Sequence, residues 1–324
     1  MSDQTRPKVL LMGKLLYARE EFYDQVGALA DIIDLDAQSV AEIAQRRETT
    51  YKGLQVICHF HDPSHPIARL DADFYSALPD TCSYICHFGA GYDDVDVIEA
   101  KRHGIAVSHT PGAVDDATAT TAIYLILAAM RQFSKAEASA RRGEWKNHLE
   151  LARDPEQKVL GIVGSVVAKR LLAWDMKVIY HNRREVSPKP DFPCEYKATL
   201  EELLTEADVV SLHMPTEKSF AKDQFNAMKP GAVLVNTARG GVVDEEALIN
   251  ALRDGKLYGA GLDVFPDEPN INPELLKFDN VSILPHMGTE TSDSRHKMGI
   301  VVLQNVLDAL SGKTLRNLVP EHRL

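Results

Sequence analysis

The chain has 324 residues, 44% of them hydrophobic and 26% charged, with a net charge of -11. That length exceeds what one hydrophobic core usually organises, so two domains are expected, and an acidic balance without a dense Lys/Arg cluster argues against a nucleic-acid surface. An anionic substrate stays compatible, because one buried arginine outweighs a diffuse surface charge that salt screens.

The first residues lack the apolar stretch of a signal peptide, and no window is apolar enough to span a bilayer, so a cytosolic protein is expected. Strand-like runs at residues 8–12, 55–59 and 83–88 alternate with helix-length segments such as 94–103, the βα pattern of a parallel-sheet domain. Residues 113–142 contain neither Gly nor Pro and are rich in Ala, Leu and Ile, which predicts one long helix. A second βα series follows, with strands at 158–163, 177–180, 208–212, 232–235, 259–262 and 281–284. Helices are predicted at 165–174, where Val167, Leu171 and Trp174 form an apolar stripe, at 244–253, and at 291–311. The four cysteines, Cys58, Cys82, Cys86 and Cys194, show no metal-ligand spacing and are assigned no role. His59, His61 and His65 suggest a metal cluster, but the nearby Cys58 and Asp62 complete no recognisable ligand spacing, so no metal is expected.

Three motifs each set an ionisable residue just beyond a predicted strand: VNTARGG with Arg239, GLDVFPDEP with Glu268, and LPHMG with His286. The ends of parallel strands are where open α/β sheets build their sites. Arginine grips a carboxylate through two parallel N–H bonds, histidine titrates near neutral pH, and a glutamate beside it orients the ring and raises its pKa. Taken singly, each has a plainer reading: a surface arginine at a strand end, a solvated loop carboxylate beside Asp267, a structural histidine. Together they suit proton-coupled chemistry on a small anionic carbonyl compound.

These motifs, in this order, resemble those of the D-isomer-specific 2-hydroxyacid dehydrogenases, the family of glyoxylate, hydroxypyruvate and 2-ketoacid reductases, and the resemblance runs nearly end to end. It implies two Rossmann-like, doubly wound parallel-sheet domains: a discontinuous substrate domain (residues 1–109 and 289–324) and a dinucleotide-binding domain (residues 110–288). It implies hydride transfer between a nicotinamide ring and C2 of a 2-oxo or 2-hydroxy acid, with Arg239, Glu268 and His286 catalytic. It also implies a homodimer paired through the helix at 113–142. The loop Gly89, Ala90 and Gly91 matches the family's substrate loop, whose glycines let backbone N–H groups approach a carboxylate, though a plain tight turn is the alternative. Thr118 and Asp263 match positions near the nicotinamide, and His213, Pro215, Thr237 and Ala238 fall on the cofactor side.

Two departures stand out. The family's strand, G-x-G-x-x-G turn and helix are reduced here to Gly164 followed directly by Ser165, about five residues short of the pattern. The loop after His213 is also shorter than usual. The expectation is weak cofactor binding, with an inactive binding or scaffolding relative as the alternative function. After the second strand of this series comes Asn182-Arg183-Arg184, where an uncharged residue followed by arginines suits a 2′-phosphate and favours NADP(H) over NAD(H); a basic surface turn is the alternative.

Overall fold

Aliphatic and β-branched runs become strands wherever both faces are covered. The structure, a computed structural model, describes residues 6–60, 62, 65–163, 168–214 and 220–323. The chain divides into two units, Met1–Asp115 with Thr291–Leu324, and Asp116–Glu290.

The first unit contains β1 (Lys8–Met12), α1 (Arg19–Gly27), β2 (Asp31–Asp34), α2 (Val40–Arg46), β3 (Leu54–His59), α3 (Ala72–Ala77), β4 (Tyr84–His87), α4 (Val97–Arg102) and β5 (Ala106–Ser108). All five strands are parallel, in the order β2-β1-β3-β4-β5. The helix α11 (Ser292–Leu310), far along the chain, lays Val302, Leu303 and Val306 against Val9, Val56 and Cys86 on one face of this sheet. Side chains at Ser39, Asp71 and Asp96 cap the N-termini of α2, α3 and α4 by accepting from backbone N–H groups, so these short helices start where the sequence places a capping residue.

The second unit runs α5 (Asp115–Arg131), α6 (Phe133–Arg141), β6 (Val159–Val163), α7 (Ala168–Leu171), β7 (Lys177–His181), β8 (Glu195–Tyr196), α8 (Leu200–Glu206), β9 (Val209–Leu212), α9 (Lys222–Ala227), β10 (Ala232–Asn236), α10 (Glu245–Arg253), β11 (Leu257–Leu262) and β12 (Val281–Ile283). Its seven strands are parallel, in the order β12-β11-β10-β9-β6-β7-β8. Chain order reverses between β9 and β6, and such a reversal opens a crevice at the carboxyl ends of the two strands. Two parallel-sheet α/β units are the fold class the sequence predicts.

Two helices differ from expectation. The single helix over 113–142 is broken into α5 and α6 by Gln132, which lies at φ 51°. Propensity does not cause the break: the Met130 carbonyl is taken by the Arg153 N–H at 3.1 Å, and the Arg131 guanidinium folds over the Phe133 ring at 5.3 Å. The helical ladder loses an acceptor to a partner remote in sequence. The second difference lies after β6, where the described part of the helix is only α7 and passes into a 3-10 turn at Leu172–Trp174. That change of pitch carries Trp174 out of the apolar stripe, leaving it 44% exposed while Leu171 is fully buried. Val167 lies outside the described residues.

Among the described residues no helix is long and apolar enough to cross a membrane.

Candidate active site

Strand β10 is buried throughout and ends on Asn236, a polar residue only 1% exposed. A buried amide must be satisfied, and this one closes the turn that follows. Its Oδ1 accepts the Ala238 N–H at 3.0 Å and its Nδ2 donates to the Arg239 carbonyl at 2.8 Å. Gly240 comes next because nothing larger fits: a Cβ there would sit 1.9 Å from the Phe265 carbonyl carbon. The backbone after β10 is thus pressed against the backbone after β11, which fixes Arg239 close to the Glu268 loop. The Arg239 guanidinium donates to the Ala238 carbonyl at 2.7 Å.

Glu268 and His286 meet across neighbouring strand ends. Glu268 Oε1 accepts the Phe265 N–H at 2.9 Å, and Oε2 lies 2.7 Å from His286 Nδ1. Partial burial pushes the Glu268 carboxyl up, but the hydrogen bonds from His286 and Phe265, with the charges of His286 and Arg239, outweigh it and hold the carboxyl below its usual range. The group is therefore an ionised acceptor at neutral pH. His286 remains about half exposed, so its other ring edge is accessible.

His286 adopts φ 55°, a left-handed conformation that costs a non-glycine residue about 1–2 kcal/mol. Asp263 offsets it. Its backbone carbonyl accepts the His286 N–H at 2.8 Å, Oδ1 accepts from Met287 at 2.6 Å, and Oδ2 accepts from Gly288 at 2.9 Å. At about 1 kcal/mol net per bond, these three outweigh the strain. Burial pushes the Asp263 carboxyl up, against the opposing pull of Met287, His286 and Gly288. Thr118 completes this knot by donating to the Gly288 carbonyl at 3.3 Å.

On the crevice side, His213 follows β9 and bridges Ser211 Oγ at 2.8 Å and Thr237 Oγ1 at 3.4 Å. Part of its surface is exposed, but the ring is desolvated and its pKa falls to about 4, so it is neutral at physiological pH. Ala238 lies on the same turn as Arg239. Asn182 follows β7 and accepts from Tyr196 Oη at 3.2 Å, and Arg183 and Arg184 beyond it are exposed, with no ion pair among the described residues. Gly164, Ser165 and Pro215 lie outside the described residues. The groups that follow β9, β10 and β7 suit an anionic dinucleotide: the Thr237 hydroxyl, the neutral His213 imidazole, and two exposed guanidiniums.

Residues 123–288 match the model of the D-isomer specific 2-hydroxyacid dehydrogenase, NAD binding domain. The chain is similar to 4-methyl-2-oxopentanoate reductase A of Aspergillus oryzae, at 36% identity over 98% of this chain and 99% of the relative. The chain belongs to the D-isomer-specific 2-hydroxyacid dehydrogenase family. It is an oxidoreductase of that family, its cofactor is a nicotinamide dinucleotide, and its substrates are small 2-oxo or 2-hydroxy acids. Two solved structures of such enzymes are also similar. A glyoxylate reductase from Paecilomyes thermophila has a TM-score of 0.92 at 35% identity, covering 98% of this chain and all of that one. An NADPH-dependent glyoxylate/hydroxypyruvate reductase from Sinorhizobium meliloti, in complex with NADP and malonate, has a TM-score of 0.83 at 29% identity, with 98% of each chain covered. Full-length likeness to enzymes favours catalysis over the scaffolding alternative.

In the first unit, the dehydrogenase loop Gly89-Ala90-Gly91 follows β4. Its three carbonyls are all engaged: Gly89 by the Thr110 N–H at 2.8 Å, Ala90 by His109 Nδ1 at 2.9 Å, and Gly91 by His87 Nε2 at 2.8 Å. Among the described residues, none of the three N–H groups of this loop is spent on a protein acceptor. Sequence reasoning missed Asn236, His87 and His109. The available signal was a polar residue ending an otherwise apolar strand, which pairs with something by necessity. Of the cysteines, Cys58, Cys82 and Cys86 are buried. Burial pushes the Cys82 and Cys86 thiols up to about 12, which leaves them unreactive at neutral pH.

Proposed function

We propose that this dehydrogenase reduces glyoxylate, hydroxypyruvate or a closely related small 2-oxo acid at C2, favours NADPH over NADH, and works as a cytosolic homodimer. The observation that carries the reading is the 2.7 Å bond from His286 to an ionised Glu268, beside Arg239, with the three residues following three adjacent strands.

When bound, a nicotinamide dinucleotide would supply hydride-transfer chemistry at C2 in either direction. The chain's own residues handle charge and protons. Glu268 accepts the Nδ1–H of His286 and so turns the Nε2 edge toward the substrate; in reduction that edge donates a proton to the carbonyl oxygen, and in oxidation it accepts one. Arg239 grips the substrate carboxylate and polarises the adjacent oxygen. The unspent N–H groups of Gly89, Ala90 and Gly91, in the first unit, form an anion-binding element suited to a carboxylate. We assign residues 110–288 to cofactor binding and residues 1–109 with 289–324 to substrate binding. Thr118, Gly164, Ser165, Asn182, His213, Pro215, Thr237, Ala238 and Asp263 are assigned to the cofactor side.

The NADPH preference rests on Arg183 and Arg184, which stand exposed after β7 where NAD-specific sites carry an acidic residue. The test is absorbance at 340 nm with glyoxylate and hydroxypyruvate. Turnover is expected with both cofactors, with kcat/KM at least tenfold higher for NADPH, and an NADH preference would overturn the assignment. The malonate in the Sinorhizobium meliloti complex and the bulkier substrate named for the Aspergillus oryzae relative leave side-chain selectivity to the same assay.

The dimer rests on apolar surface along one stretch of the second unit. Tyr124 and Phe133 are each 45% exposed, Trp145 74% and Leu151 98%. Pairing with a second copy across a two-fold axis would cover these side chains. Light scattering is expected to give twice the chain mass at micromolar concentration, and a stable monomer would refute it.

A further inference from the structure

The loop Gly89-Ala90-Gly91 is held from below by a buried polar chain that the reaction itself does not use. His59 ends β3 and His87 ends β4; the two strands pair in parallel with these residues in register, and each histidine is only 3% exposed. Their Nδ1 atoms lie 2.9 Å apart, with ring centroids 5.0 Å apart. His87 Nε2 donates to the Gly91 carbonyl at 2.8 Å, and His59 Nε2 lies 3.7 Å from Asp94 Oδ2.

Hydrogen-bond polarity orders this chain. A carbonyl only accepts, so His87 carries its proton on Nε2, and its Nδ1 is then the acceptor in the neutral ring. His59 Nδ1 is therefore the donor to it, whereas the Asp94 carboxylate stands 3.7 Å from His59 Nε2, beyond hydrogen-bond distance. His59 fixes the tautomer of His87, and the tautomer of His87 fixes the Gly91 carbonyl.

The cluster has the composition of a metal centre, since one donor atom from each of His59, His87 and Asp94 can be chosen within 4.8 Å of the others. Its close contacts nevertheless belong to hydrogen bonding: the 2.9 Å between the two Nδ1 atoms leaves no room for an ion between them, and His87 Nε2 is engaged by the Gly91 carbonyl. The trio that looks suggestive in the sequence is not the one assembled: His65 Nδ1 accepts the Ile67 N–H at 3.1 Å, and His61 lies outside the described residues.

Gly89 belongs to the same device. A Cβ there would meet His87 Nε2 at 2.5 Å and the Gly91 carbonyl oxygen at 2.7 Å, so the glycine leaves room for the histidine to reach past it. With His109 and Thr110 holding the two preceding carbonyls, the whole oxygen side of the loop faces the protein.

We propose that His87, backed by His59, is a positioning residue for substrate binding: it pins the Gly91 carbonyl so that the N–H groups of Gly89, Ala90 and Gly91 stay ordered for the substrate carboxylate. This rests on the reading of that loop as the substrate loop. Because the histidines touch neither cofactor nor reacting atoms, they act on substrate affinity and leave the chemical step alone.

The experiment measures KM for glyoxylate, kcat, and the dissociation constant of the non-reactive analogue oxamate in saturating NADPH, for His87→Phe, His87→Gln, His59→Phe and Gly89→Ala. His87→Phe and His59→Phe are expected to raise KM and the oxamate constant about tenfold, the scale of one lost hydrogen bond and a loosened loop, with kcat within twofold. His87→Gln keeps an N–H for the carbonyl and is expected to recover most of the affinity. Should His87→Phe fail to fold, His59→Phe and the contrast between His87→Gln and wild type still decide. Gly89→Ala alters the loop itself: if it raises KM while the histidine variants do not, the positioning role falls and the loop reading stands; if it too leaves KM unchanged, the loop reading falls. Loss of oxamate affinity on dialysis against EDTA, restored by zinc, would overturn the positioning role in favour of a metal centre.

Discussion

Replacing His286 by Ala is expected to lower kcat by about 10² to 10⁴, the range contributed by a positioned general acid, while the dissociation constant for NADPH stays within twofold. The reason is the division of labour at the site. His286 meets Glu268 through Nδ1 at 2.7 Å, and its half-exposed second edge is the proton-carrying one. Removing the ring deletes the proton donor and leaves the crevice beside His213 and Thr237 intact. Arg239→Ala is the contrasting variant, expected to raise KM more than it lowers kcat. Steady-state kinetics with cofactor titration on the same preparations separates the two effects. Unchanged turnover in the His286→Ala protein, beside an active wild type, would sink the assignment. Because the Glu268 carboxyl is held below its usual range, its support for His286 is present at neutral pH and is lost only as the pH falls through that depressed value.

Restoring a G-x-G-x-x-G turn after Gly164 is expected to tighten NADPH binding by about 10² to 10⁴. In the sequence Gly164 is followed directly by Ser165, without the second and third glycines of the pattern, so the backbone N–H groups that such a turn brings around a pyrophosphate are fewer. Two charge-assisted hydrogen bonds at about 1.5–3 kcal/mol each account for the expected range. Fluorescence titration of the nicotinamide, on the natural chain and the variant in parallel, reads it directly. A micromolar dissociation constant for the natural chain would show that the short turn is competent and that the amides lost there are replaced elsewhere. Family membership and weak binding are compatible, since the triad and the crevice-side hydroxyls do not depend on that turn.

The strand pattern and the three motifs are legible in sequence because their signals are local. Apolar runs such as 232–236 read as buried parallel strands whatever surrounds them. A glycine pair after Arg239 and a proline beside His286 mark turns at strand ends. Hence the two-unit α/β class, the membership of Arg239, Glu268 and His286 in one family motif set, and the missing fingerprint glycines need no coordinates.

What the tertiary structure alone decided depends on partners far apart in the chain. Gln132 breaks a helix of good propensity because Arg153 captures the Met130 carbonyl. Gly240 is obligatory because the backbone at Phe265 lies against it, and Asp263 shapes the His286 turn from more than twenty residues away. His59 and His87 are 28 residues apart and meet only because β3 and β4 pair in register. A sequence displays the donors and acceptors a chain must satisfy, but which of them satisfy one another is set by how the sheets bring distant strand ends together.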